Sequence, residues 1–166
     1  MALVAETGAG LPDATTFATR AELIAFALLR GVTIPDTDSA DVHLVKAMDY
    51  LASLTFLGNP VVAAQGTPFP RTYYLNAEDD ELGFPNDAVP PAVKRAQLFL
   101  ALASSQGVTL LDQRAAGRAL KSRDVGPLKR QYAEESFSHA EVAGVMPLLT
   151  PYITPAGGFR LTVGRA

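Results

Sequence analysis

Between Asn59 and Pro90 the chain carries Pro60, Pro68, Pro70, Pro85 and Pro90, with Gly66 and Gly83 among them. No continuous helix and no central strand runs through such a stretch, because each proline removes a backbone donor and fixes its own φ. Helices must therefore lie on either side of it. An excursion of roughly 30 residues without regular structure is unusual in a compact domain and is commonly a binding element. Phe69, Tyr73, Tyr74 and Phe84 argue against a disordered linker. The run Thr72-Tyr73-Tyr74-Leu75 is β-prone, and Glu78-Asp79-Asp80-Glu81 forms an acidic patch. The expectation is an extended arm or irregular hairpin.

The flanks have helical signals. Thr19-Arg20-Ala21-Glu22 is a capping box, in which the Thr hydroxyl and the Glu carboxylate each serve the other residue's amide. The helix it opens ends at Gly31, a good residue just past a helix. Leu23, Ile24, Phe26, Leu28 and Leu29 cannot share one stripe, so this helix is predicted to bury more than one face, the second against a neighbouring subunit. Thr37-Asp38-Ser39 offers caps for a second helix over about 39–55, amphipathic through Leu44, Ala47, Met48 and Leu51. Pro90-Pro91 opens a third, closed by Gly107; its wholly apolar run from Leu98 to Ala103 marks it as the central core helix. Beyond it, Ala119–Arg123 and Leu128–Tyr132 flank a Gly-Pro turn and predict a β-hairpin over 119–132. A short helix is expected over about 140–149, followed by a Gly-rich terminal arm. The predicted fold is mainly α: a small helical bundle with a long loop or arm over 59–88, a short β-hairpin and a C-terminal arm over 150–166.

Hydrophobic content of 48% and charged content of 19% exclude a chain disordered throughout. With no cysteine, disulfide scaffolds, thiol catalysis and Cys-based zinc sites are excluded. The first residues have neither a basic start nor a long apolar run, so no signal peptide is expected, and no stretch reaches the ~18 apolar residues of a membrane span. No membrane partner is expected. The net charge of −3 hides an asymmetry: residues 1–90 hold 4 basic and 12 acidic side chains, whereas 91–133 hold 8 basic and 2 acidic. Such polarity suits head-to-tail pairing of copies or an acidic partner, and equally suits ordinary solvated faces.

Catalytic patterns are missing. His43 and His139 lie far apart in sequence and read as surface or boundary residues; no zinc-protease, calcium-loop or phosphate-loop motif occurs. Gly8-Ala9-Gly10 lacks the strand and third glycine of a dinucleotide fingerprint. The acidic patch at 78–81 could hold a divalent cation, but such runs are more often solvated. Ser104-Ser105 has no base near it in sequence. Neither an enzyme nor a cofactor is expected. For nucleic acid, Arg114, Arg118, Lys121, Arg123, Lys129 and Arg130 with Tyr132 make a partial basic stripe, but the chain has no Trp and a pI of about 5.3, so specific nucleic-acid binding is not favoured.

Taken in order, four segments carry a resemblance. They are Glu6-x-Gly8 to Ala14 with Thr16-Phe17; Lys46-Ala47-x-Asp49-Tyr50-Leu51; Gln65, Phe69-Pro70-Arg71 and Val89-Pro90-x-Ala92-Val93-Lys94-x-Ala96; and Leu120-Lys121-Ser122-x-x-Val125-Gly126-Pro127-Leu128 with Tyr132, Leu148-Leu149-x-Pro151-Tyr152. The chain resembles the head-to-tail connector (adaptor) proteins of tailed bacteriophages, a family often labelled DnaT-like ssDNA-binding. It departs from that pattern in having Phe69 where Trp is frequent and Ala52 where an aspartate is usual. The resemblance implies a structural protein forming a homo-oligomeric, commonly dodecameric ring beneath the portal in the virion neck, assembled in the host cytoplasm. Such a ring passes genomic DNA without sequence specificity and joins a neck or tail-completion protein. It makes residues 1–149 the connector domain. It assigns portal docking to the C-terminal arm, through Pro151, Tyr152, Phe159, Arg160, Leu161, Val163 and Arg165. Inter-subunit or neck contacts fall to Phe69, Arg71, Tyr73, Tyr74, Lys121, Arg123, Lys129 and Arg130. A single-stranded DNA-binding replication accessory, using the 114–130 basic cluster, is the alternative.

Overall fold

Thr19 and Glu22 start the first helix as their spacing predicts. The Glu22 amide donates to the Thr19 hydroxyl, and Glu22 Oε2 accepts from the Thr19 amide at 2.8 Å. In the computed structural model, which describes residues 3–76, 81–111, 142 and 144–154, this helix is α1, Arg20–Leu28. Three more helices follow: α2, Asp38–Ala52; α3, Pro91–Ser105; and α4, Val145–Leu149. Two antiparallel ladders lie between α2 and α3, pairing β1 (Asn59–Pro60) with β2 (Arg71–Thr72) and β3 (Tyr74–Asn76) with β4 (Glu81–Leu82). The described chain is a small mixed protein in which helices dominate, loosely compatible with the mainly α expectation. None of its helices is long and apolar enough to cross a membrane.

Pro91 takes the first position of α3, where its missing N–H costs nothing. This helix is the hub, burying Val93, Ala96, Leu98, Leu100, Ala101 and Leu102 against α1, α2 and α4. The second helix stops three residues short of its expected end, where the Ser53 hydroxyl turns back to donate to the Tyr50 carbonyl at 2.6 Å. Its Thr37 makes no side-chain cap; the hydroxyl pairs instead with that of Ser39 at 2.7 Å. Of the apolar residues of α1, Leu23 and Ala27 are buried within the chain, while Leu28 and Leu29 remain 67% and 85% exposed.

The proline-rich stretch is not a projecting arm. It folds back, and Phe69 at its centre is wholly buried, after which comes a cis peptide bond to Pro70. Phe69 sits at the middle of a ring cluster, with centroids 5.1 Å from Phe56, 5.7 Å from Phe84, 6.1 Å from Tyr152 and 6.3 Å from Phe17. Aromatic side chains of a loop find their apolar surface in the body when one is within reach, and their burial offsets part of the loop's ordering entropy. Gly58 makes the first ladder possible: its φ is +73°, and a Cβ there would lie 2.2 Å from the Thr72 carbonyl oxygen.

Residues 152–154, grouped above with the C-terminal arm, are tied into the same body. The Leu57 amide donates to the Tyr152 carbonyl at 2.8 Å and the Thr154 amide to the Thr55 carbonyl at 2.9 Å. The hairpin expected over 119–132 and the arm from residue 155 onward lie outside the described residues.

Candidate nucleic-acid interface

Cations are the first requirement of a nucleic-acid surface, and several of the described ones are already engaged. Arg20 is enclosed by acids: its Nε donates to Asp41 at 2.8 Å, its Nη2 reaches both Asp41 and Asp38, and its Nη1 meets Asp36 at 3.4 Å. The hydrogen bond from Arg20 holds the Asp41 carboxyl below its ordinary pKa, against the opposing effect of burial. Arg71, expected at a neck contact, serves the main chain. Its guanidinium donates to the carbonyls of Leu57 at 2.8 Å, Pro68 at 3.3 Å and Phe56 at 3.4 Å, and also to Gly58. Lys46 stands on the exposed side of α2, with Asp49 three residues on.

The other three, Arg30, Lys94 and Arg95, come together. They border an open groove of about 520 Å³ between α1 and α3, lined also by Glu22, Ala25, Phe26, Leu29, Pro91 and Leu98. Phe26 is the one ring that lines it, and the Arg30 guanidinium reaches both Phe26 and the neighbouring Phe99, whose centroid is 4.9 Å away. The Arg30 guanidinium lies 3.4 Å from the Phe26 centroid, anchored by Nη1 donating to the Phe26 carbonyl at 2.9 Å. Phe26 meets Phe99 edge-on at 5.0 Å and 88°. Arg95 lies 5.8 Å from the Phe99 centroid. Glu22 is the one acid on the rim, and its Oε1 accepts from Lys94 Nζ at 2.7 Å. Burial acts to raise the Glu22 pKa, but Lys94 and the Thr19 cap together bring it below the ordinary carboxylate value. Cations set beside aromatic rings are a feature of surfaces that track a nucleic-acid backbone.

The residues assigned to contacts by resemblance are placed differently from one another. Phe69 is enclosed and Arg71 is occupied by carbonyls, so neither offers a free surface. Tyr73 stacks on Phe84 at 5.6 Å and 20°. Tyr74 is 47% exposed, Pro151 is exposed and Tyr152 is half-buried against Phe69 and Phe84. Phe159, Arg160, Leu161, Val163, Arg165, Lys121, Arg123, Lys129 and Arg130 lie outside the described residues.

Three polar centres escaped sequence reasoning. The glycines at 8 and 10 wrap a carboxylate of the chain itself: buried Glu6 accepts from the amides of Gly8 at 2.8 Å, Gly10 at 3.0 Å and Leu11 at 2.8 Å. Buried Gln97 accepts from the amides of Phe17 and Ala18 at 2.9 and 3.0 Å, and donates to Thr16 and to the Leu44 carbonyl. His43 Nδ1 lies 3.0 Å from Ser104 Oγ, joining α2 to α3. Among the described residues no group of three potential metal ligands occurs.

The burial of His43 makes stability pH-dependent. Burial, aided by Lys46, pushes the His43 pKa below its ordinary value. The unfolded chain then takes up the proton first, so stability present above about pH 6.5 declines as the pH falls through the folded-state value. Urea midpoints measured at about pH 7.5 and 5.5 should differ in the native chain and converge in His43→Asn.

A family model described as "Putative DnaT-like ssDNA binding protein" matches residues 1–166, the whole chain. The chain belongs to this DnaT-like family. No curated protein and no solved structure matches it. The description of the DnaT-like family concerns single-stranded DNA and makes no mention of portals, rings or tails.

Proposed function

We propose that the chain binds single-stranded DNA through its backbone, without sequence preference and without turnover, as an accessory to DNA replication. The observation that carries this reading is the match of the DnaT-like family over all 166 residues. The groove between α1 and α3 supports it, because Arg30, Lys94 and Arg95 all line it, with Arg30 over the Phe26 ring. The basic residues of 114–130 add sequence-level support. Phosphates meet the cations and release counterions, while unstacked bases find apolar and guanidinium planes.

Anisotropy of a labelled oligo(dT), titrated between about 50 and 200 mM salt, tests it. Affinity should fall steeply with salt, with a slope of about 0.7 per phosphate contacted, so near 2 for three contacts. Arg30→Ala with Arg95→Ala should weaken binding at least tenfold and lower the slope by about 1.4. Binding that ignores salt, or is equally tight to duplex DNA, would sink the reading.

A second reading is favoured by Leu28 and Leu29, apolar residues that one copy of the chain leaves 67% and 85% exposed. Uncovered apolar ends suit a subunit of a ring, and here the resemblance to head-to-tail connectors proposes a virion neck component docked on a portal. Light scattering with portal protein present separates the two. A closed ring that leaves free oligo(dT) unbound supports the connector; tight, salt-sensitive binding by a monomer or small oligomer supports the DNA-binding accessory.

A further inference from the structure

Glu22 has two tasks that pull on one carboxylate. Its Oε2 is held by the Thr19 amide at 2.8 Å and hydroxyl at 3.2 Å, while Oε1 accepts from Lys94 Nζ at 2.7 Å. The cap fixes this side chain in the first turn of α1, so the carboxylate stays on the groove rim. Lys94 is the movable partner: a compact charge on a flexible stem, with its side chain 36% exposed. Arg30 and Arg95 carry no such acid on the same rim.

We propose that Glu22 is a built-in competitor for DNA phosphate, occupying Lys94 in the free protein and yielding it when a strand enters the groove. This rests on the single-stranded DNA reading and adds a regulatory residue to it. Charge complementarity fixes the occupant as a polyanion that threads the groove: three cations face one carboxylate, and the Arg30 guanidinium lying on Phe26 offers a plane beside them. Because an ion pair this exposed is weak, Glu22 lowers affinity without closing the site. A strand delivering several phosphates displaces it, whereas a lone phosphate does not. The consequence is a threshold against short or monomeric anions.

Glu22→Gln is the test, since glutamine at this position still completes a capping box. Oligo(dT) affinity should rise roughly three- to fivefold, the equivalent of an exposed ion pair released. That gain should vanish in a Lys94→Met background. A gain that persists there would come from long-range charge alone and would overturn the proposal. Lys94→Met by itself should lower the salt slope by about 0.7, one phosphate's worth; an unchanged slope would also overturn it, whether or not the Glu22→Gln chain folds. If the native chain binds oligo(dT) with the expected salt dependence but Glu22→Gln changes nothing, the competitor is wrong and the DNA reading stands. If the native chain does not bind, both fall.

Discussion

Phe69→Ala is expected to cost about 3–5 kcal/mol of stability, seen as a large drop in urea midpoint. The ring is fully enclosed, and its neighbours come from four separate parts of the chain: Phe17 before α1, Phe56 after α2, Phe84 beyond the second ladder and Tyr152 after α4. Removing it opens a cavity that none of these rings can fill without leaving its other contacts, and the edge-on aromatic pairs are lost in addition to the buried area. Tyr74→Ala, on the same loop but 47% exposed, should stay within about 0.5 kcal/mol of the native chain. If the two substitutions cost the same small amount, the proline-rich stretch is detached from the body and the described packing is wrong.

Gln97→Leu is expected to cost about 1–3 kcal/mol, despite replacing an amide by an apolar group in an apolar surround. The side chain is fully buried and satisfies two backbone amides, a hydroxyl and a carbonyl. The Phe17 amide loses its acceptor and the Ala18 amide keeps only the Thr16 hydroxyl at 3.2 Å; a donor left unpaired away from water costs about 1–3 kcal/mol. Local consequences should come first: the amides of Phe17 and Ala18 should lose hydrogen-exchange protection under conditions where α2 and α3 keep theirs. Protection unchanged at those two amides, with an unchanged midpoint, would show that the N-terminal segment is held by something else.

Both residues illustrate where sequence reasoning stops. Local signals were legible: the Thr19–Glu22 box, the proline opening α3 and the apolar run through its middle are set within a turn or two of chain. The expectation of irregular structure over 59–88 also follows from proline chemistry alone. The direction in which that stretch folds does not, because it depends on an apolar surface assembled from residues before α1, after α2 and after α4. Phe69 therefore reads as a contact residue in the sequence and as a core residue in the structure. Gln97 looks like one polar position in an apolar helix, and nothing near it reveals that residues 16–18 need its hydrogen bonds. The groove is hidden for the same reason. Arg30 and Lys94 are far apart in sequence, and the eye goes instead to the denser basic run at 114–130. Glu22 is visible only as a cap, since its second partner is 72 positions away. The Leu28–Leu29 end of α1 is the reverse case: the surplus of apolar faces is evident from the sequence, and one copy of the chain indeed leaves them uncovered.

The short pairing between residues 55–57 and 152–154 has a consequence for how the protein is made. Tyr152 supplies one wall of the Phe69 cluster, and the Leu57 amide waits for its carbonyl. During synthesis the three long helices emerge well before that segment does. A nascent chain halted ahead of Tyr152 therefore carries a capped α1, an intact α2–α3 contact and an open aromatic cluster, a state prone to sticking to its neighbours. Closure depends on a pairing of very high sequence separation, the slowest kind to form. On the ribosome, completion of this body waits for the last segment the structure describes.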